Sequence, residues 1–314
     1  MPEKPRKLLT NVQNTSESKS DKKWEHFKSK RNERFKIFSS NIKSINQSNI
    51  DGYFKLANEW LKSHPKGRQE EAIKESQKII DDLCEKLRND PNKSQSDILL
   101  ILQKISDIYK NIGRKNSKFC LLWKYSPLWN EIKYNLSNLD IAVPIKDLYL
   151  HNVDFSKSTF KPPAGFESCK FSGDCRFWRG RSEGPFFIKS SKISGDMNFI
   201  NFKFLGYAEF SDLDVDHQSP FKFMDAHFYG DSVFDDIRFS KNCHNGMYTS
   251  MNKAYFSIKC NHTFHPEEIF YNMVEETLNG VTMRLPIESL PFDPEAEESE
   301  NEILSQKSRK ELDD

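Results

Sequence analysis

Phenylalanine recurs every five or six residues through the middle of this 314-residue chain. From Leu150 to Phe239 large apolar residues advance in sixteen steps over 89 residues, with one polar step at Ser182. At this period an α-helix would turn successive rings to opposite sides, and a flat strand would alternate them between its two faces. The period therefore predicts short strands separated by corners, each strand pointing one large side chain inward.

We call this series of apolar residues the ladder. Four steps, roughly 22 residues, would close one square coil, which lies within the usual range for structural repeats. About four such coils are expected. The residue two positions before each ladder residue should also point inward, and glycines 173, 195, 206 and 230, each four residues before a phenylalanine, are expected to supply the corner angles. The ladder comprises Leu150, Phe155, Phe160, Phe166, Phe171, Phe177, Phe187, Ile193, Phe199, Phe204, Phe210, Val215, Phe221, Phe228, Phe234 and Phe239.

Segments such as Cys-Lys-Phe-Ser-Gly-Asp-Cys-Arg-Phe at 169–177 and Ala-His-Phe-Tyr-Gly-Asp-Ser-Val-Phe at 226–234 carry a family signature. They resemble the pentapeptide-repeat family, and most closely its phenylalanine-rich branch with five- and six-residue steps, over about residues 148–240. The resemblance implies a right-handed quadrilateral β-helix. It also implies a bacterial or phage-associated origin, with conflict systems, host-targeted effectors and topoisomerase protection as known settings.

The fold class expected for the whole chain is α+β in two parts, a helical domain followed by this β-helix. Apolar residues at helical spacing predict helices over 21–46, about 53–63, 68–89 and from an N-cap at Ser96 to Ile112. The predicted divisions are a disordered basic and polar arm at 1–20, the helical domain at 21–147, the β-helix at 148–264, a capping helix and extension at 265–290 and an acidic disordered tail at 291–314.

An open solenoid exposes backbone at both ends and needs caps there. The aromatic segment 117–136 is expected to close the first coil. At the other end His265-Pro266-Glu267-Glu268 resembles a helix start. Its apolar face would consist of Ile269, Phe270, Met273, Val274 and Leu278.

Charge is balanced overall and uneven along the chain. Residues 1–150 carry 29 Lys and Arg against 19 Asp and Glu, whereas residues 151–314 carry 18 against 27. Such asymmetry is typical of a polyanion-binding arm or of two chains pairing head to tail, and equally of two differently charged solvated surfaces. A homo-oligomer is therefore one expected state.

The predictions of cellular compartment and cofactor use depend on features that are absent from the sequence. The longest aliphatic run has five residues, against roughly 20 for a membrane span, and the first residues lack a secretory signal pattern. Six cysteines without a compact framework favour reduced thiols, so we predict a cytoplasmic protein. No nucleotide-binding glycine loop or nucleophile elbow occurs, and we predict no cofactor and no enzymatic activity.

Three groups of residues are candidate sites. Cysteine and histidine, both zinc ligands, cluster near the end of the repeats, but their spacing matches no standard zinc finger, so we predict no metal. This cluster comprises Cys243, His244, Cys260, His262 and His265. The candidate acidic face comprises Asp212, Asp214, Asp216, Asp225, Asp231, Asp235 and Asp236. The candidate basic face, for nucleic acid or an anionic surface, comprises Lys22, Lys23, Lys28, Lys30, Arg31 and Arg34.

The function predicted from these features is a non-enzymatic scaffold or adaptor that binds another protein. A rod with a dry phenylalanine core offers surfaces but no concave pocket of the kind that small substrates favour. Two alternatives remain open. One is a DNA mimic that acts on a topoisomerase through the acidic face, and the other is an effector or toxin whose activity lies in the helical domain.

Overall fold

The computed structural model describes residues 19–112, 126–216, 221–239, 249–265 and 273–296. The chain forms two compact units, Met1–Lys43 and Ser44–Asp314. The first unit contains helix α1 (Lys19–Ser40), where the sequence predicts one. In α1 the ring of Trp24 stacks on Phe27 at 5.2 Å, and the Arg31 guanidinium lies 4.0 Å from the Phe27 ring centre. Most of the predicted disordered arm, residues 1–18, lies outside the described residues.

The second unit begins with the other three predicted helices, α2 (Gln47–Lys62), α3 (Gln69–Asn89) and α4 (Gln95–Ile112). Asn46 and Asn49 form a reciprocal capping box at the start of α2. At α4 the cap is Ser94 rather than the predicted Ser96, because the Asp97 backbone N–H donates to Ser94 Oγ at 3.2 Å and the Ser94 N–H donates to Asp97 Oδ2 at 2.9 Å. The reciprocal pair moves the helix start towards the N-terminus.

A solenoid of parallel strands follows a short 3₁₀ helix at Pro127–Glu131. It starts at Tyr134, 14 residues before the predicted boundary at 148, and makes about five turns up to residue 238. The earlier part of the first coil lies outside the predicted range because its inward residues are Tyr, Leu and Ile rather than phenylalanine. Each turn has four strand-bearing sides, which we number as faces in chain order.

The first face contains β1 (Tyr134–Asn135), β5 (Val153–Asp154), the ends of β8 (Lys170–Arg176) and β10 (Phe186–Asn198), β13 (Phe221–Lys222) and β16 (Thr249–Ser250). The second face contains β2 (Asp140–Ile141), β6 (Thr159–Phe160), β9 (Arg181–Ser182), β11 (Lys203–Phe204), β14 (His227–Phe228), β17 (Tyr255–Ser257) and β21 (Leu290–Phe292). The third face contains β3 (Pro144–Lys146), β7 (Gly165–Glu167), the starts of β10, β12 (Ala208–Val215) and β15 (Ser232–Phe239), and β18 (His262–Phe264). The fourth face contains β4 (Tyr149–His151), the start of β8, the middle of β10 and the ends of β12 and β15.

The registers confirm the predicted repeat. Phe166 pairs with Ile188 and Ile188 with Phe210, each 22 residues further along the chain. The next pairing, Phe210 with Phe234, is 24 residues long, and Phe234 with Phe264 is 30. The inner register is therefore kept across both of these longer intervals.

The inner phenylalanines stack in columns down the solenoid. Phe177 and Phe199 lie 4.4 Å apart between ring centres, Phe204 and Phe228 lie 4.6 Å apart, and Phe228 and Phe256 lie 4.7 Å apart with an interplanar angle of 4°. These distances match the spacing of neighbouring strands, about 4.8 Å, so each ring rests on its equivalent in the next turn. Most residues two positions before a ladder residue are also buried, including the large Met197, Phe202 and Leu213.

Two ladder positions differ from the prediction. Ile188, not Phe187, pairs with Phe166 and Phe210, and the half-buried Phe187 ring covers Gly165 from outside. In the next turn Phe223 stacks on Phe199 at 5.3 Å. Phe221 is buried instead at the position two residues earlier, in register with Met197. Both errors arise where two apolar residues compete for one step.

The corners are made by residues with a left-handed backbone. Asparagine and aspartate are the non-glycine residues that adopt this region most readily. One corner column, between the first and second faces, comprises Asn138, Lys157, Arg179, Asn201, Asp225, Lys253 and Glu288. The other, between the third and fourth faces, comprises Asp147, Ser168, Ser190, Asp212 and Asp236.

Most of the predicted corner glycines do not supply corner angles. Of the four predicted corner glycines only Gly173 has a positive φ, at 63°. A Cβ on Gly206 would lie 2.7 Å from the backbone of Gly184, and one on Gly230 would lie 2.5 Å from the backbone of Gly206. These glycines are therefore required because successive turns approach too closely for a side chain.

The helices cap the first turn of the solenoid. The side-chain amide of Gln77 donates to Lys133 O at 2.8 Å and accepts from Lys133 N at 2.9 Å. Gln95 makes the same pair of bonds, to Asp140 O and from Ala142 N, both at 2.8 Å. Each amide thus pairs with the exposed strand edge as another strand would. Of the predicted aromatic cap, Trp129 is buried, while residues 113–125 lie outside the described residues.

A β-hairpin occupies much of the segment where the capping helix was predicted. β19 (Met273–Leu278) pairs antiparallel with β20 (Val281–Pro286), and Asn279 and Gly280 form the turn with φ of 52° and 79°. Asn-Gly is the strongest short hairpin signal, and it outweighs the helical spacing of Met273, Val274 and Leu278. Ile269 and Phe270 lie outside the described residues. Of the predicted tail, β21 and a helical turn at 294–296 are described, and residues 297–314 are not.

Candidate binding faces of the solenoid

The predicted acidic residues are distributed over several sides of the solenoid. Asp225 lies at the corner between the first and second faces, and Asp235 lies on the third face. Asp231 Oδ1 accepts a hydrogen bond from Asn261 N at 2.8 Å. Asp212, Asp214 and Asp236 come together beside the fourth face, with Asp216 at its far end. Asp212, Asp225 and Asp236 are also corner residues, so the backbone alone accounts for aspartate at these three positions.

Arg238 neutralises much of the acidic group at the fourth face. Its guanidinium donates to Asp212 Oδ1 at 2.6 Å, to Asp236 Oδ2 at 2.7 Å and to Asp214 Oδ1 at 3.0 Å. The hydrogen bond from Arg238, aided by one from Ser190, holds the pKa of Asp212 below its usual value. A continuous negative stripe is absent from the described residues of this face, since Lys170 and Lys192 occupy the preceding turns.

The candidate basic residues all lie on α1. Lys22, Lys23, Lys30 and Arg34 are exposed, and Lys28 and Arg31 are half-buried. Helical spacing places Lys23, Lys30 and Arg34 on one side of the helix. The first unit therefore presents several exposed cationic side chains on one helix.

The Cys and His cluster is only partly described, because Cys243 and His244 lie outside the described residues. Cys260 Sγ donates to Tyr229 O at 3.1 Å, and His265 is exposed. His262 Nδ1 lies 2.7 Å from the buried Ser232 Oγ, and its Nε2 lies 3.0 Å from Ser257 O. Burial lowers the pKa of His262. Among the described residues no group of three or more Cys, His, Asp or Glu is placed to hold a metal ion.

A groove of about 690 Å³ lies between α3 and the first face. Ile73 and Tyr134 contribute apolar surface, and side chains of both charges surround them. Arg176 forms an ion pair with Asp174 here and lies 4.8 Å from the ring centre of Trp178. The mixture of charges selects no particular ligand.

Most of the exposed large apolar residues described in the second unit lie at the second face, a feature that sequence reasoning missed. Six of the seven exposed large hydrophobic residues described there lie on this face or at its two corners, the exception being Val281 in the hairpin. Leu205 is 44% exposed, Leu290 41% and Tyr207 39%. We call this set the second-face patch, which comprises Trp178, Leu205, Tyr207, Met224, Ile287 and Leu290.

Aromatic and basic side chains complete the second face. The ring of His227 stacks on Tyr255 at 4.5 Å, and Tyr229 meets Phe292 edge to face at 5.0 Å. In the turns below, Arg181 and Lys203 are exposed in register with His227. Part of the patch is predictable from the sequence once the phase is fixed, because Trp178, Met224 and Ile287 each directly precede a corner residue.

Comparison with known proteins adds no family to this description. No family model, curated protein or solved structure matches the chain. Within the described residues none of the helices is long and apolar enough to span a membrane.

Proposed function

We propose that this chain is a non-enzymatic scaffold that binds another protein through its second face. The observation that carries the proposal is the concentration of exposed apolar side chains in the second-face patch. Large apolar side chains on a rigid surface, bordered by Arg and Lys, are typical of protein interfaces. A flat sheet needs little ordering on binding, which favours affinity for a folded partner.

The chemistry of the described cysteines agrees with a passive role. Cys84, Cys169 and Cys175 are buried free thiols, and burial raises the pKa of Cys84 and Cys175 to about 12 and that of Cys169 to about 11. Such thiols are inert in the core. Free cysteines also support the proposal of a cytoplasmic protein, and the 22-residue coil supports membership of the pentapeptide-repeat family. Imitation of DNA gains no support, since Arg238 bridges the three clustered aspartates.

The proposal is tested by selective loss of a partner. Tagged wild-type chain is compared with a Leu205→Glu, Met224→Glu double variant in pull-downs from a lysate of the source organism, analysed by mass spectrometry. A Lys170→Gln, Lys192→Gln variant makes the same change in net charge on the fourth face. We expect a protein retained by the wild type and by the fourth-face variant but lost with the second-face variant. Equal capture by all three folded chains, checked by circular dichroism, would refute the second face as the docking surface.

A further inference from the structure

The described chain ends on the second face. Ala296 lines a groove of about 420 Å³ together with His227, Tyr255 and Phe292. An ion pair between Lys259 and Glu295 holds the last described turn in place. Residues 297–314 therefore start from a fixed point beside the second-face patch.

Those residues begin with a dense run of acids. Glu297, Glu298, Glu300 and Glu302 fall within six positions, and the first basic residue after them is Lys307. The groove beside Ala296 already contains Asp225 and Asp293, which repel further negative charge. The groove itself therefore disfavours binding of an acidic segment.

Opposite charge lies in the turns below the groove. Lys203 is one strand spacing from His227, and Arg181 is two, so Arg181 lies about 10 Å from the His227 row. Lys157 and Arg179 add two further cations at the adjoining corner. The described acids in this area are Glu183, which pairs with Arg181, and Asp140, which pairs with Lys161.

The length of the acidic run matches this distance. Six extended residues span about 20 Å. Residues 297–302 can thus pass from Ala296 across the rows of Lys203 and Arg181 without strain. Attachment to the same chain gives the tail a high effective concentration at this surface, so weak, exposed ion pairs suffice to hold it.

We propose that the second face is a binding site for extended acidic peptide and that residues 297–302 of this chain are its resident ligand. The proposal rests on the proposed function in one respect, namely that the tail covers the surface assigned to the partner. A partner must then displace the tail, and removal of the tail charge strengthens its binding.

The test uses a fluorescein-labelled peptide of residues 297–314 and full-length chains. In a chain with Glu297, Glu298, Glu300 and Glu302 all changed to Gln, the resident ligand is weakened and the site becomes free. In fluorescence anisotropy at 50 mM NaCl, we expect the peptide to bind this chain at least tenfold more tightly than the wild type. Addition of Lys203→Glu should abolish that gain, whereas the matched fourth-face change Lys192→Glu should leave affinity within twofold.

Two results would overturn the proposal. One is equal peptide affinity for the wild-type and the Glu-to-Gln chain, and the other is equal loss with Lys203→Glu and Lys192→Glu, which would indicate general attraction between opposite charges. No partner enters this experiment. A negative result in the peptide experiment therefore does not decide whether a partner binds the second face, which the pull-down tests. A negative pull-down in turn does not affect the interpretation of the peptide measurement.

Discussion

The second and fourth faces of the solenoid share one backbone and one core but differ in the side chains they present. Along the centre of the second face the outward residues in successive turns are Arg181, Lys203, His227 and Tyr255. The equivalent positions of the fourth face are Lys170, Lys192, Asp214 and Arg238. Folding constrains the inward residues of both faces equally. The requirements of folding therefore do not explain why the outward residues of the second face are apolar and aromatic.

The fourth face also differs in what covers it. Helix α4 lies against its first turn, where Ser106 Oγ accepts from Tyr149 N at 2.9 Å and Lys110 Nζ donates to Asp147 O at 2.8 Å. Its last turns are closed by the ion pairs of Arg238. One face is thus satisfied by contacts within the chain, while the other leaves large apolar side chains in water.

The largest effects should come from the core beneath the two faces, and they should be similar. Phe204 lies under the second face and Ile193 under the fourth, both fully buried. We expect Phe204→Ala to lower the free energy of unfolding by roughly 3–5 kcal/mol and Ile193→Ala by roughly 2–5 kcal/mol, because each leaves a cavity. Urea denaturation followed by circular dichroism measures both.

The outer residues supply the matched controls for this prediction. Leu205→Ser and Lys192→Ser should each change stability by less than about 0.5 kcal/mol. A loss with Leu205→Ser as large as that with Phe204→Ala would mean that the second-face patch serves folding, and the distinction between the faces would disappear.

A smaller effect should appear with pH, because histidines are held neutral at both ends of the shared core. Burial lowers the pKa of His151 and His262 below the ordinary value of 6.5. Below pH 6.5 these histidines are protonated in the unfolded chain but not in the folded chain. The stability present at pH 7.5 is therefore lost as the pH falls towards the pKa values of the folded state. Each histidine can contribute a slope of up to about 1.4 kcal/mol per pH unit.

Substitution by glutamine removes this titration and keeps the hydrogen bonds. Gln at 262 can still accept from Ser232 and donate to the carbonyl of Ser257. The His151→Gln and His262→Gln chains should therefore show shallower loss of stability between pH 7.5 and 5.5, measured by urea denaturation at each pH. Slopes unchanged from the wild type would assign the acid sensitivity to other groups.

The periodicity of the sequence was sufficient to predict most of the residues that lie inside the solenoid. The five- and six-residue steps fixed the coil length, and most ladder residues proved buried where predicted. The phase failed at Phe187 and Phe221, since Ile188 and Phe223 compete for the same inner places and only neighbouring turns decide between them. A hairpin replaces the predicted helix because the Asn279-Gly280 turn signal outweighs the helical spacing of the apolar residues around it.

The candidate site was harder to predict than the core. Residues such as Trp178 and Leu205 have no local pattern of their own, because their relation depends on which turn lies above which. A cluster of aspartates, by contrast, is conspicuous in sequence, yet Asp225 lies at a different corner from Asp212 and Asp236. Adjacency along the chain is a poor guide to adjacency across turns.

A modest gain in stability should come from relieving one corner of the second face. Lys157 has a φ of 60° and is exposed, and its backbone N–H donates to Trp178 O at 2.7 Å whatever side chain it carries. Lys157→Gly should raise the free energy of unfolding by about 0.5 to 1 kcal/mol, since glycine adopts the left-handed region without steric cost. Lys170→Gly, in a strand of the fourth face, should lower it. Destabilisation by both changes would show that strain at the corner is negligible.

The smallest change in stability is expected at Arg238. Its three ion pairs are exposed to solvent, and such pairs contribute little, so Arg238→Gln should alter the free energy of unfolding by less than about 1 kcal/mol. The substitution releases the negative charge of Asp212, Asp214 and Asp236 on the fourth face. If capture of a partner depends on the second face, the same pull-down with Arg238→Gln should retain the partner at the wild-type level. A partner gained or strongly enriched by this variant would instead assign binding to the acidic cluster, with Arg238 as its restraint, and would reverse the roles of the two faces.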